Sequence, residues 1–135
     1  MFKIAGVFNF ILAIGHLLSL IWAKHVFEAG GIGEGMNEMS QIHPFLPYLI
    51  TIIVAVGFFI FGLYALSADG RIRKLPLLKL GIFTIAAIFI LRSVMGFVEI
   101  ITMDISVVRE IIYSLVALLV GLLYLVGGIN KWIKK

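Results

Sequence analysis

The feature that most constrains this chain is a set of four apolar segments, each long enough to cross a bilayer. They run approximately from Ile4 to Ala23, Phe45 to Ser67, Leu78 to Ile101 and Ile111 to Asn130. About 20 apolar residues in a helix are enough to span the hydrocarbon core. The whole chain is 62% hydrophobic and 13% charged, whereas soluble domains have roughly 45–50% apolar and about 25% charged residues. The sequence therefore predicts an all-α integral membrane protein.

The segments between these spans predict how the helices are connected. Residues 67–79 contain a turn signal at Asp69-Gly70 and a break at Pro76. The longer outer connection, residues 24–44, is rich in glycine, which argues against a continuous helix there. Short connections favour an up-down four-helix bundle. We therefore predict one transmembrane domain over residues 1–135, with no separate soluble domain.

Lysine and arginine are distributed unequally between the two ends of the predicted bundle. Only Lys24 and Arg109 lie at one end. Eight basic residues lie at the other end: Lys3, Arg71, Arg73, Lys74, Lys79, Lys131, Lys134 and Lys135. The positive-inside rule then predicts that both termini are cytoplasmic. Because the net charge of +4 follows this topology, it does not indicate a nucleic-acid partner.

Polar residues within the spans collect in the predicted outer half of the bundle. Arg92 lies about 13 Å and His16 about 10 Å below the outer boundary, at 1.5 Å of rise per residue. Ionisable side chains inside a membrane cost at least about 2.5–3.5 kcal/mol each at the bilayer centre, so they commonly mark function. The candidate ligand-binding residues of this half are His16, Ser19, Thr51, Arg92, Glu99, Glu110 and Ser114.

The partner of Arg92 is left open by the sequence. Glu99 follows two turns later on the same face, a rise of about 10.5 Å, which is longer than the favoured four-residue spacing. Arg92 either reaches Glu99 directly, or a water, His16, Glu110 or a ligand lies between them. Gly96 leaves space on this face. The same residues therefore describe either an outward-facing ligand pocket or a buried ion pair that sets helix register.

Two further patterns have alternative interpretations. His25, Met36, Met39 and His43 in the outer connection are ligand types that soft metals prefer, but they have no diagnostic spacing. We therefore predict no metal and no other cofactor. On the last span, a stripe of small residues either packs within the bundle or docks a second copy or another membrane protein. This stripe consists of Ser114, Ala117, Gly121 and Gly128.

Several short motifs resemble those of small four-helix bacterial inner-membrane proteins of unknown function. They are GHLLSLIWA (15–23), HPFLPYL (43–49), ILRSVMGF (90–97) and IYSLVALLVGLLYLVG (112–127). The resemblance covers most of the chain. It implies the same fold, a multi-pass location in the inner membrane, and importance for His16 and Arg92. It implies no activity.

These observations favour a membrane protein that binds a small amphiphilic or lipid-like ligand. Arg92 would hold an anionic or carbonyl head group, and His16 with Ser19 or Thr51 would hydrogen-bond it. Two alternatives stay open. One is a membrane-embedded enzyme that uses His16 with Glu99 or Glu110 as acid and base on a lipid-phase substrate. The other is a structural or partner subunit of a membrane complex.

Overall fold

The computed structural model describes residues 1–31, 33–102 and 107–134. Throughout these ranges the regular structure is helical, with no β-strand, which confirms the predicted all-α class. The short connection predicted before the last span includes residues 103–106, which lie outside the described ranges. Two residues used to predict orientation are affected in the same way. Lys135 lies outside these ranges, and the side chain of Lys24 is not described.

The described residues form six α-helices and one short 3-10 turn. They are α1 (Phe2–Ser19), the 3-10 turn (Leu20–Trp22), α2 (Ala23–Gly30), α3 (Gly33–Ile42), α4 (Leu46–Ala68), α5 (Leu78–Thr102) and α6 (Val107–Trp132). Within the part of the chain that the structure describes, four helical stretches are long and apolar enough to cross a membrane: Phe2–Trp22, Leu46–Ala68, Leu78–Thr102 and Val108–Trp132. The prediction of a multi-pass membrane protein with four transmembrane helices is supported by this architecture.

The glycine-rich outer connection is helical on both sides of one break. α2 ends at Gly30 and is followed by Gly31, whose φ of 75° lies in the left-handed region. Its amide donates to the carbonyls of Phe27 and Glu28, which closes the end of α2. Glycine suits this position because it has no Cβ to clash in a left-handed conformation. The segment is therefore two short helices, with the chain turning at the glycine.

The chain divides into two compact units, one of residues 8–60 and one of residues 1–7 with 61–135. In the second of these, α5 and α6 pack antiparallel. A Cβ added at Gly121 would lie 2.8 Å from Cγ1 of Ile90, and one at Gly128 would lie 3.0 Å from Phe83. Residues later in α6 thus contact residues earlier in α5. In the same register Gly96 lies opposite Ser114, nearly two turns from the Ile90–Gly121 contact.

The small-residue stripe of α6 is used within this unit. Ser114 and Ala117 are buried, and Gly121 and Gly128 face α5 directly. Tyr124, on the same face, is fully buried and stacks on Phe89 of α5 with ring centroids 6.3 Å apart. Small side chains let the two helix backbones approach closely, as is common between membrane helices. Docking of another protein on this face would require the α5–α6 packing to open.

The turn between α4 and α5 is held by side chains of α4. The hydroxyl of Ser67 donates to the carbonyl of Arg73 at 3.0 Å and accepts from the amide of Leu75 at 2.9 Å. The Tyr64 hydroxyl donates to the carbonyl of Pro76 at 3.1 Å. The Tyr64 ring lies against Gly81 of α5, where an added Cβ would be 2.6 Å from Cδ1 of the ring. The turn between α4 and α5 thus has a defined conformation.

Candidate functional site

An ion pair joins α5 and α6. Nη2 of Arg92 donates to Oε1 of Glu110 at 2.8 Å. Of the partners that the sequence left open, the structure brings Glu110 to the guanidinium. The Glu110 side chain is 12% exposed and the Arg92 side chain 43% exposed. The carboxylate is therefore the buried half of the pair, and the guanidinium is the accessible half.

The two charged side chains reach each other by extending along their helices. In the observed register Arg92 lies about one turn before Gly96 on α5, and Glu110 lies one turn before Ser114 on α6. A Cβ on Gly96 would collide with Ser114 Oγ and Glu110 Oε1 and lie 2.8 Å from Nη1 of Arg92. Each side chain therefore spans about 6 Å of helix rise. They meet in the space that the missing Gly96 side chain leaves.

Ser114 supports the carboxylate from the same helix. Its hydroxyl donates to Oε1 of Glu110 at 3.4 Å, so this one oxygen accepts from both Ser114 and Arg92. Ser114 is fully buried. A buried carboxylate that is paired with an arginine and hydrogen-bonded avoids most of the cost of an isolated buried charge. The three residues therefore form one polar centre, which we call the Arg92 centre: Arg92, Glu110 and Ser114.

Most of the hydrogen-bonding capacity of Arg92 is not used by Glu110. A guanidinium carries five N–H donors in one plane. The bond to Glu110 is the only one that Arg92 makes to the described part of the chain. Since the side chain is also partly exposed, the other donors are available to an oxygen-rich group. The arrangement can bind a carboxylate, phosphate or carbonyl oxygen next to an existing ion pair.

Glu99 does not belong to the Arg92 centre. It is half-buried near the end of α5, and within residues 1–31, 33–102 and 107–134 it forms no ion pair. Two helical turns on one helix separate it from Arg92, a rise of about 10.5 Å. The sequence alone does not distinguish Glu99 from Glu110 as the partner of Arg92. The signal for Glu110 is Ser114 one turn later and a glycine on the facing helix.

The remaining ligand-binding candidates lie in the other compact unit. Nδ1 of His16 lies 2.8 Å from the carbonyl oxygen of Leu12. Nδ1 is the donor in this bond, since a carbonyl oxygen can only accept. The His16 ring lies 5.1 Å from that of Phe58. The Ser19 hydroxyl donates to the carbonyl of His16 at 2.6 Å, and the buried Thr51 hydroxyl to that of Pro47 at 2.8 Å. Each of these three side chains thus makes a hydrogen bond to a backbone carbonyl of its own helix.

The metal candidates of the outer connection differ in exposure and in hydrogen bonding. His25 is exposed, Met36 and Met39 are half-buried, and Nδ1 of His43 accepts from the amide of Phe45 at 3.2 Å. Among the residues that the structure describes, no group of three or more His, Cys, Asp or Glu side chains could hold a metal ion. Comparison of the chain with protein-family models, with curated proteins and with solved structures finds no match.

Proposed function

We propose that this chain is an inner-membrane protein with both termini in the cytoplasm, in which the Arg92 centre binds the head group of an amphiphilic or lipid-like ligand. The observation that carries the proposal is the Arg92 guanidinium, which is 43% exposed and gives one hydrogen bond to Glu110. The orientation rests on the uneven distribution of basic residues. The inner membrane rests on the resemblance of the four sequence motifs.

Glu110 accepts from only one of the N–H groups of Arg92. An N–H group without a partner in hydrocarbon costs several kcal/mol, about as much as other unsatisfied polar groups at that depth. Arg92 lies ten residues before the end of α5 at Thr102, so its backbone is about 15 Å from that end. A ligand with carboxylate, phosphate or carbonyl oxygens would accept from these donors. Its apolar part would lie among the exposed Leu, Ile and Val side chains of α5.

Glu110 and Ser114 have a positioning role in this proposal. Oε1 of Glu110 holds Nη2 of Arg92, and the other donors of the guanidinium would face the ligand. Ser114 holds this same carboxylate oxygen. The pair carries no net charge, so the ligand-free centre does not hold an isolated ion. The proposal therefore predicts reversible binding, and it rests on α5 and α6 alone.

The decisive experiment is native mass spectrometry of the full chain released gently from detergent. Wild type is compared with the double variant Arg92→Gln/Glu110→Gln, which removes both charges without leaving one unpaired. Glu99→Gln is the matched control, because it removes a carboxylate of α5 outside the Arg92 centre. We expect a discrete extra mass on wild type and Glu99→Gln that disappears in the double variant.

A bare chain mass in all three proteins would contradict the proposal. It would assign the Arg92–Glu110 pair, joined at 2.8 Å, a structural role between α5 and α6. The same added masses on wild type and on the double variant would also contradict it, because no bound ligand would then depend on the Arg92 centre. Fragmentation of the added mass would identify its chemical class.

A further inference from the structure

A second feature of the same unit lies at the other end of α5. An apolar groove of about 510 Å³ opens where α5 begins and α6 ends. Its volume falls in the range of about 300–1,000 Å³ that small-molecule sites occupy. Its apolar walls are made by leucines of the turn and the first turn of α5, with two aromatic rings. The principal side chains are Leu77, Leu78, Leu80, Phe83 and Trp132.

Two lysines border these apolar walls. Lys74 comes from the turn and Lys79 from the first turn of α5, and both are exposed. Neither forms an ion pair within the described ranges. Lys131, in contrast, donates to the carbonyl of Ala68 at 2.6 Å, so it closes the end of α4. The groove thus combines an apolar interior with two uncompensated positive charges.

The turn that forms one wall holds a residue in an unfavourable conformation. Leu77 has φ of 51°, and it is the only non-glycine residue with positive φ in the described part of the chain. The left-handed conformation costs a leucine free energy because Cβ approaches a backbone carbonyl oxygen. Its side chain is also 74% exposed. The bonds made by Ser67 and Tyr64 hold the turn in this form and present Leu77 at the groove.

Trp132 also lines the groove and packs near two other aromatic rings. Its centroid lies 6.2 Å from that of Phe2 and 6.4 Å from that of Phe83. Tryptophan is enriched where the apolar core of a membrane meets the head groups. A groove that joins an interfacial tryptophan, exposed leucines and two lysines matches the chemistry of a molecule with an apolar chain and an anionic head.

We propose that this groove binds one anionic phospholipid. Lys74 and Lys79 pair with the head-group phosphate, and one acyl chain lies against Leu80, Phe83 and Trp132. Charge complementarity selects an anionic lipid over a zwitterionic one, since each basic residue at the membrane surface favours anionic lipids. The site is separate from the Arg92 centre, because Lys79 and Arg92 are about 20 Å apart along α5. It goes beyond the function proposed above and does not depend on it.

The test measures lipid retention on the full chain by native mass spectrometry after exchange into phosphatidylglycerol or phosphatidylcholine. The variant Lys74→Gln/Lys79→Gln is compared with Arg73→Gln/Lys134→Gln, which removes the same charge from exposed residues of this end that do not line the groove. We expect one phosphatidylglycerol on wild type and on the control. We expect its apparent affinity to fall about tenfold or more in the lysine variant, given the usual attraction per basic residue.

The apolar half of the groove has its own matched pair. Leu80 and Leu91 are both 61% exposed on α5, but only Leu80 lines the groove. Leu80→Ala should weaken phosphatidylglycerol retention several-fold, and Leu91→Ala should not. This pair decides the question if Lys74→Gln/Lys79→Gln cannot be purified.

Three results would overturn the proposal. Equal loss of lipid in the two charge variants would show diffuse attraction and no defined site. Equal retention of phosphatidylcholine on wild type would remove the role of the lysines. Displacement of the lipid by glycerol phosphate at comparable concentration would show an anion site that does not use the apolar groove.

Discussion

Gly96 of α5 faces Ser114 of α6 at the level where the side chains of Arg92 and Glu110 meet. An added Cβ on Gly96 would collide with Ser114 and Glu110, so the absence of a side chain is what makes room for the pair. The ion pair is therefore a property of two facing helices. Both side chains meet about one helical turn away from their own Cα atoms, beside Gly96 and Ser114.

We predict that Gly96→Ala displaces the Arg92–Glu110 pair. Overpacking at a close contact costs about 1–3 kcal/mol of unfolding free energy, so we expect a lower melting temperature and loss of any ligand bound at the Arg92 centre. Gly57→Ala in α4 is the control, because an added Cβ there meets nothing within 4 Å. It should be neutral or slightly stabilising. Equal melting temperatures for the two variants would contradict the observed packing.

We predict that removing one charge of the pair destabilises the protein more than removing both. Arg92→Gln leaves Glu110 buried with Ser114 as its remaining partner, and an unsatisfied buried polar group costs about 1–3 kcal/mol or more when it is charged. Arg92→Gln/Glu110→Gln replaces the pair with two neutral amides. Unfolding free energies of wild type, Arg92→Gln, Glu110→Gln and the double variant together measure the coupling between the two side chains. Additive effects of the two substitutions would show that the side chains do not interact.

We predict opposite effects on stability and lipid binding at Leu77. Leu77→Gly relieves the positive φ, so the unfolding free energy should rise by about 1 kcal/mol, while retention of phosphatidylglycerol falls because the groove loses an apolar wall. Leu77→Ala removes the leucine side chain beyond Cβ but keeps the Cβ that strains the backbone at positive φ. It should lose lipid equally without the gain in stability. Melting temperature and native mass spectrometry separate the two effects.

We predict that both termini and the α4–α5 turn face the cytoplasm. The chain has no cysteine, so single cysteines report accessibility without background. Lys134→Cys should be protected from an impermeant thiol reagent in intact cells, whereas Asn37→Cys in α3 should be labelled. Both should be labelled after the membrane is opened. Labelling of Lys134→Cys in intact cells would reverse the predicted topology.

The helical class and the four membrane-spanning stretches could be predicted from the sequence because they depend on local properties. Mean apolarity over about 20 residues decides whether a segment can cross a bilayer, and backbone hydrogen bonding in lipid then requires a helix. Arg92, Glu110, Ser114 and Gly96 were also identifiable, because polar or small residues stand out within apolar runs. None of these inferences needs the position of one helix relative to another.

The pairing of those residues was decided only by tertiary structure. Arg92 is seven residues from Glu99 and eighteen from Glu110, yet it binds Glu110, because the antiparallel register of α5 and α6 brings Glu110 to the space at Gly96. A shift of one helical turn, about 5.4 Å, would change the partner. The groove at Lys74 and Lys79 likewise depends on the turn conformation at Leu77. Hydropathy along a chain is a sum over neighbouring residues, whereas an ion pair or a groove depends on distances between elements that are remote in sequence.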